Sequence, residues 1–280
     1  YGGGIHVFDE KTQTLKDLSQ EELFLYGCVF HIVQDAKGNL WYASQNGLYQ
    51  STPDGHILKK YDTMNSILPT NAVFYLCFDS MNRLWIGSKF GLFLLDTDTG
   101  KMRADCFSKP IKSEIKYMME DSQSEMWVCT DNGLYKIGMD LVVKEHFTGN
   151  DMVTDNQVFS IQEDSHGVYW IATRKEIVRY NPSEKLHYTY QRQDGLNDME
   201  FNNTVFVSND SLIWWPNEGG LIYTSVPHIS TEHHFVRKPT ITSYSISEVE
   251  YDFPYMDTSE GIILPSSKNN LCFKFSNMDY

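Results

Sequence analysis

Residues 79–95 read DSMNRLWIGSKFGLFLL. A turn at Ser80-Met81-Asn82-Arg83 leads into a short apolar run, Leu84-Trp85-Ile86-Gly87-Ser88. A second turn at Lys89-Phe90 leads into another apolar run that opens on Gly91. Two short runs rich in aromatic and branched residues, bounded by turn residues, describe a β-hairpin.

The hairpin recurs. Trp41, Trp85, Trp127, Trp170 and Trp214 are 44, 42, 43 and 44 residues apart. Asp35, Asp79, Asp121 and Asp164 each stand six residues before the first four of them. Gly47, Gly91, Gly133 and Gly220 stand six residues after Trp41, Trp85, Trp127 and Trp214, and Glu176 takes that place after Trp170. An apolar pair opens each unit: Val29 and Ile32, Val73 and Leu76, Ile115 and Met118, Val158 and Ile161. A period of roughly 40–45 residues built from strand-like runs marks a β-propeller, with one four-stranded blade per unit. The chain is therefore expected to be all-β.

In the second unit the strands are expected at 73–78, 84–88, 91–95 and 101–106. Complete units cover 29–61, 73–106, 115–147 and 158–191. Residues 1–9 supply a turn and the third strand of an incomplete blade, with 15–18 as its outer strand. Seven blades at this period need roughly 300 residues. The blades of 1–227 are thus expected to form the C-terminal part of a seven-bladed ring.

The five registered Trp residues read as core wedges between blades, each worth roughly 1.5–3 kcal/mol or more of burial. The small residue two places on (Ala43, Gly87, Cys129, Ala172) shares the face of its Trp and leaves room for an indole of the next blade. In the Asp-x-x-Gly turns the carboxylate accepts backbone N–H groups and glycine supplies a positive φ; Arg83 stands for that glycine in the second unit. The last unit departs from the pattern at Trp214-Trp215-Pro216, where proline removes a strand donor.

From about residue 227 the period is lost. Residues 228–238 read as a linker, and 239–280 as the N-terminal part of an Ig-like β-sandwich, with strands at 239–247, 249–251, 261–264 and 271–275.

Composition narrows the function. The net charge of −14 over 280 residues argues against a nucleic-acid surface or an anionic membrane surface, both of which need clustered Lys and Arg. Cys28, Cys77, Cys106, Cys129 and Cys272 are isolated, so neither a zinc ribbon nor a redox pair is indicated. His233-His234 lacks a third ligand placed by pattern, so no metal site is expected. No run reaches the ~18–20 apolar residues that span a bilayer as a helix. The chain opens on Tyr1-Gly2-Gly3-Gly4 without Met and reads as part of a longer protein.

The units DAKGNLWYASQNGL (35–48), NRLWIGSKFGLFLLD (82–96) and SEMWVCTDNGLYKI (124–137) resemble the two-component regulator propeller repeat, V-x-x-I-x-x-D-x-x-G-x-L-W-I-G-T-x-x-G-L. GLNDMEFNN (195–203) resembles the approach to that family's last blade. PTITSYSIS (239–247) and the closing stretch 261–280 resemble the start of the three-tyrosine (YYY) β-sandwich domain that follows such propellers. The resemblance implies the periplasmic sensor region of a Bacteroidetes hybrid two-component system that responds to glycans. It further implies an inner-membrane-anchored receptor, homodimeric at full length, that controls polysaccharide-utilisation genes. Kinase activity is expected only in downstream modules.

In a propeller the loops of one face carry the ligand site. Here these are the connections from strand two to three and from strand four to one. The first set offers Gln45, Asn46, Lys89, Phe90, Asp131, Asn132, Arg174, Lys175, Asn217 and Glu218; the second offers Tyr26, Asn71, Lys112, Asn156 and Asn202. Amides and charges bond sugar hydroxyls, and an aromatic ring packs on the C–H face of a sugar. Asn, Asp and Lys are equally what turns are made of. Lys89, Lys112, Arg174 and Lys175 would favour an acidic glycan.

Two rival readings stay open. One is a purely structural or interaction propeller. The other is a propeller glycan-processing enzyme, a hydrolase or lyase, with Asp131 and Glu218 as a carboxylate pair. A sialidase would need three arginines converging on one carboxylate, and of the six in this chain only Arg174 clearly falls at the mouth. No catalytic residue and no cofactor is assigned; the expected partner is an oligosaccharide.

Overall fold

The computed structural model describes residues 5–17, 28–104, 106–149, 152–153, 155–174, 176–191, 206–207, 212–217, 220–225, 240–246, 249–252 and 271–276. All regular structure among them is β-strand. The chain divides into two compact units, Tyr1–Val226 and Pro227–Tyr280.

Among the described residues, the first unit contains four complete four-stranded antiparallel sheets. Blade one comprises β3 (Val29–Gln34), β4 (Leu40–Ser44), β5 (Gly47–Ser51) and β6 (Ile57–Tyr61). Blade two comprises β7 (Val73–Phe78), β8 (Leu84–Ser88), β9 (Gly91–Leu95) and β10 (Met102–Arg103). Blade three comprises β11 (Ile115–Glu120), β12 (Met126–Thr130), β13 (Gly133–Ile137) and β14 (Val143–Phe147). Blade four comprises β15 (Val158–Glu163), β16 (Tyr169–Thr173), β17 (Ile177–Asn181) and β18 (Leu186–Tyr190). A two-stranded piece, β1 (His6–Asp9) and β2 (Thr14–Asp17), precedes them. A three-stranded sheet follows: β19 (Phe206–Val207), β20 (Leu212–Asn217) and β21 (Gly220–Ser225).

One carboxylate organises each blade. The turn between the first two strands begins at Asp35, Asp79, Asp121 or Asp164. Its Oδ1 accepts the backbone N–H groups two and four residues on, at 2.8–3.1 Å. Its Oδ2 accepts the indole N–H of the blade's own Trp, at 3.0, 2.7, 2.8 and 2.9 Å in blades one to four. The six-residue spacing from Asp to Trp is therefore the length of a turn whose two ends are tied to one side chain. The left-handed residue of the turn is Gly38 (φ +87°) or Gly167 (φ +74°), and in blades two and three Asn82 (φ +60°) and Ser124 (φ +57°). Asn82, not Arg83, thus takes the glycine's place; Asn tolerates this conformation because its short polar side chain bonds locally.

The clamped Trp faces the next blade. Trp41 packs with Val73, Leu76, Leu84 and Ile86, and Trp127 with Val158, Ile161, Tyr169 and Ile171. The small residue two places on serves a different neighbour from the one expected. A Cβ on Gly87 would lie 2.6 Å from Ile115 Cγ2, so the space is filled by the residue that opens the next blade, not by an indole. Trp214 is also a correction: it is half-buried and stacks on Tyr223 at 4.8 Å, while Ile213 and Trp215 are buried. In sequence, Ser208 stands six residues before it, where the other four have their clamping Asp. Trp215 instead meets Trp170 at 5.8 Å.

The fourth strand of blade two is shorter than expected, two residues in place of 101–106. In blades one, three and four its last residue is an aromatic that stacks on the blade's Trp: Tyr61, Phe147 and Tyr190, at 6.3, 6.0 and 6.3 Å. In blade two Phe107 takes this place from beyond the strand, its ring tilted against Trp85 at 5.4 Å.

The second unit shows one antiparallel sheet, in the order β23-β22-β24: β22 (Thr240–Ile246), β23 (Val249–Asp252) and β24 (Leu271–Ser276). The strand expected at 261–264 and the linker 228–238 lie outside the described residues.

Candidate functional site

Each turn between strands two and three is closed by a hydroxyl at the end of strand two. Ser44, Ser88, Thr130 and Thr173 donate to the carbonyls of Gly47, Gly91, Gly133 and Glu176 at 2.8, 3.1, 2.8 and 3.3 Å. In the first three blades the same oxygen accepts the N–H of Asn46, Phe90 or Asn132. The glycine that opens strand three is required by crowding. A Cβ there would meet Tyr61 O at 2.5 Å, Ile111 O at 2.8 Å and Phe147 O at 2.3 Å in blades one to three. This places the strand-four-to-one connection against the strand-two-to-three turn, so both loop sets share one face.

On that face Phe90 is exposed and carries the Lys89 ammonium over its ring at 5.7 Å. Asn46 is half-buried, and its carbonyl accepts Tyr49 Oη–H at 3.1 Å. Asp131 and Asn132 are exposed; the Asp131 carboxylate accepts Glu114 N–H at 3.1 Å, and Asn132 O contacts His146 Nε2 at 2.8 Å. Asn71 and Asn156 spend their side-chain oxygens on loop N–H groups of Thr63 and Gly149. Arg174 is half-buried. The Asn217 backbone pairs with Gly220 across its turn. Lys175, Glu218, Tyr26 and Asn202 lie outside the described residues.

A second set of residues on this face belongs to the strands. Successive sheets approach one another chiefly through their first strands, which therefore crowd the axis. Each first strand carries a β-bulge at its second residue. The register shifts between Val29 and His31, Val73 and Tyr75, Ile115 and Tyr117, and Val158 and Ser160. The extra residues are Phe30, Phe74, Lys116 and Phe159, each one place in from the turn hydroxyl across the ladder. Phe30 is 46% exposed, and the other three are half-buried. Phe30 meets Phe74 edge-on at 5.1 Å, and the Lys116 ammonium lies over Phe159 at 5.9 Å and pairs with Glu114. The sequence carried a signal for this set. An apolar pair spaced by three cannot share one face of a regular strand, yet Val73 and Leu76 both pack toward Trp41.

Beneath the ring of bulges runs a partly buried aromatic row, half-buried at His31 and Tyr75 and buried at Tyr117. His31 stacks on Tyr75 at 3.9 Å, Tyr75 meets Tyr117 at 4.8 Å, and Tyr117 Oη accepts from Gln162 Nε2. Burial pushes the His31 imidazole pKa down and the Tyr75 phenol up, and burial pushes the Tyr117 phenol up to about 12. Burial likewise raises the Cys77 thiol to about 12, which leaves it protonated and unreactive at neutral pH. Arg83 is committed elsewhere: it pairs with Asp79 at 2.6 Å and donates to Met139 O at 3.1 Å. Arg179 lies over the Trp170 ring at 5.9 Å. Among the described residues no cluster of His, Cys, Asp and Glu could hold a metal ion.

The family model for the two-component regulator propeller matches residues 67–90 and 153–175. These stretches carry the bulges of blades two and four and the clamps Asp79–Trp85 and Asp164–Trp170. Among curated proteins, histidine kinase P4 of Formosa agariphila is 24% identical over 252 residues, covering 81% of this chain and 18% of its own length. Among solved structures, the extracellular domain of a hybrid two-component system from B. thetaiotaomicron matches with a TM-score of 0.76 and 22% identity, over 98% of this chain and 38% of its own. Virginiamycin B lyase from Staphylococcus aureus matches with a TM-score of 0.62 and 15% identity, over 79% of this chain and 73% of its own. The chain thus spans about a fifth of the curated relative and under two fifths of the two-component structure. Two of the clamped, Trp-centred sheets of this chain thus carry stretches that match the two-component regulator propeller, and the fold is shared with the extracellular domain of a two-component system.

Proposed function

We propose that this chain is the ligand-sensing region of a hybrid two-component sensor histidine kinase and response regulator. The observation that carries the reading is the repeat itself, shared with a histidine kinase and with the extracellular domain of a two-component system. In this reading the region lies in the periplasm as part of an inner-membrane-anchored receptor, dimeric at full length. It detects a glycan-derived oligosaccharide at the mouth face and so controls polysaccharide-utilisation genes. Asn46, Lys89, Phe90, Asp131, Asn132, Arg174, Lys175, Asn217 and Glu218 are the rim from which such contacts would come. The region binds and does not catalyse.

The second reading, a glycan-processing enzyme, draws on the lyase that shares the fold. Incubation with labelled oligosaccharides separates the two. Heat of binding in a calorimeter with unchanged sugars is expected; cleavage products would sink the sensor reading.

A further inference from the structure

We propose that the sugar-binding surface of this propeller is the ring of bulged residues on the inner strands, and that it takes an uncharged sugar unit. The inference rests on the glycan-sensor reading and adds to it the residues and the ligand's charge.

A β-bulge interrupts a ladder and re-aims one side chain, and bulges recur next to functional sites for that reason. Here the same interruption stands at the same place in four successive inner strands. Sheet pairing alone does not ask for it; a regular strand would keep every ladder bond. What the four bulges deliver is three phenylalanines and one lysine at the mouth end of the axis. Phe30 and Phe74 stand in contact across two blades and offer adjoining aromatic surface. Phe159 stands two blades further on, beside Lys116.

The chemistry of the set matches a pyranose. Its axial C–H groups form an apolar face that packs on an aromatic ring. Its vicinal hydroxyls need one donor and one acceptor side by side. The Lys116–Glu114 pair is such a couple: an ammonium with three donors next to a carboxylate that only accepts. Charge decides the class. Glu114 neutralises Lys116, and a second carboxylate, Asp131, sits on the Glu114 backbone N–H at 3.1 Å. One ammonium against two carboxylates would repel a uronate or a sulfate. The basic rim residues Lys89 and Lys112 belong to the neighbouring turn of blade two, where a Cβ on Gly91 would lie 3.7 Å from Lys112 Cα.

The test is a printed array of neutral oligosaccharides beside uronate-containing and sulfated ones, probed with the protein and four variants. The variants are the double substitution Phe30→Ala/Phe74→Ala, then Lys116→Met, Glu114→Gln and, as a control in the exposed Asp79 turn on the opposite face, Met81→Ala. Each variant is first checked against the parent's thermal unfolding. The parent is expected to bind neutral spots. The double variant, Lys116→Met and Glu114→Gln should each lose about tenfold or more in affinity, the equivalent of one charge-assisted hydrogen bond, while Met81→Ala stays within about twofold. Binding confined to acidic spots would overturn the charge assignment. Folded ring variants that bind as the parent does would overturn the ring and leave the sensor reading standing. A parent that binds no sugar at all would overturn both.

Discussion

Burying one indole removes roughly 200 Å2 from water, about 5 kcal/mol at ~25 cal/mol per Å2. An indole N–H left without a partner inside would return about 1–3 kcal/mol of that. Burial wins either way, but the clamping Asp keeps the difference and fixes the turn as well. Among the described contacts, Asp121 is the one of the four that takes a donor from the next blade. It accepts Gln123 N–H, Glu125 N–H, the Trp127 indole, and Tyr169 Oη–H from the next blade at 2.8 Å. Asp164 accepts only the first three kinds of donor among the described contacts. Asp121→Ala is expected to cost about 3 kcal/mol or more, and Asp164→Ala about 1 kcal/mol less than that. Urea unfolding of the two variants checks the order, and an equal cost would show that the inter-blade Tyr169 bond carries nothing. Trp214, which in sequence has Ser208 where the other four have their clamping Asp, stays half-exposed.

The strands of a blade are as closely specified as its turns. Most inner-strand limits were legible because three landmarks bracket them: the Asp, the Trp, and the glycine six residues on. The ends of the outer strands were legible in blades one, three and four, where an aromatic stands twenty residues after the Trp (Tyr61, Phe147, Tyr190), but not in blade two, which shifts that residue to Phe107. The candidate site was legible only in part. Turn residues such as Asn46 and Asn132 stand out by type, yet their backbone groups are spent on closing the turn. The bulged Phe30, Phe74, Lys116 and Phe159 were hidden because one extra residue changes the face of a side chain without changing composition. Spacing between blades sets a further prediction. Ala43, Cys129 and Ala172 already carry a Cβ where blade two has Gly87. Gly87→Ala would drive that Cβ to 2.6 Å from Ile115 Cγ2 and so force blades two and three apart. The expected cost is about 1–3 kcal/mol. At the turn, Gly133→Ala meets the Phe147 carbonyl at 2.3 Å, whereas a Cβ on Gly220 meets nothing within 4 Å. Both are strained at φ +100° and +143°, so thermal unfolding should rank Gly133→Ala well below Gly220→Ala.

Across the whole molecule, acid should loosen the propeller in two separate steps. His31 sets the upper one. Burial holds its imidazole pKa below the ordinary value of 6.5, so the unfolded chain binds a proton that the folded one refuses. Stability is therefore full above about pH 7 and falls as the pH drops below about 6.5, until the folded histidine is itself protonated. Carboxylates set the lower step. Burial alone would raise Asp35, but the Trp41 indole, the Asn39 side chain and two backbone N–H groups together hold it below the usual range. Burial would raise Glu125 too, and Lys136 and Lys144, both at 2.5 Å, outweigh it. The Lys60 ammonium, 2.8 Å away, lowers Asp62. For these groups the folded pKa lies under the unfolded one, so their contribution is present above about pH 4 and is lost as the pH falls through the folded values. Urea midpoints measured from pH 8 to pH 3 should then show a plateau, a shallow decline starting near pH 6.5, and a steeper one below about pH 4. His31→Phe keeps the ring that stacks on Tyr75 and removes the titrating nitrogen. It should abolish the upper decline and leave the lower one in place; an unchanged upper decline would mean that another group, and not the imidazole of the inner row, is responsible.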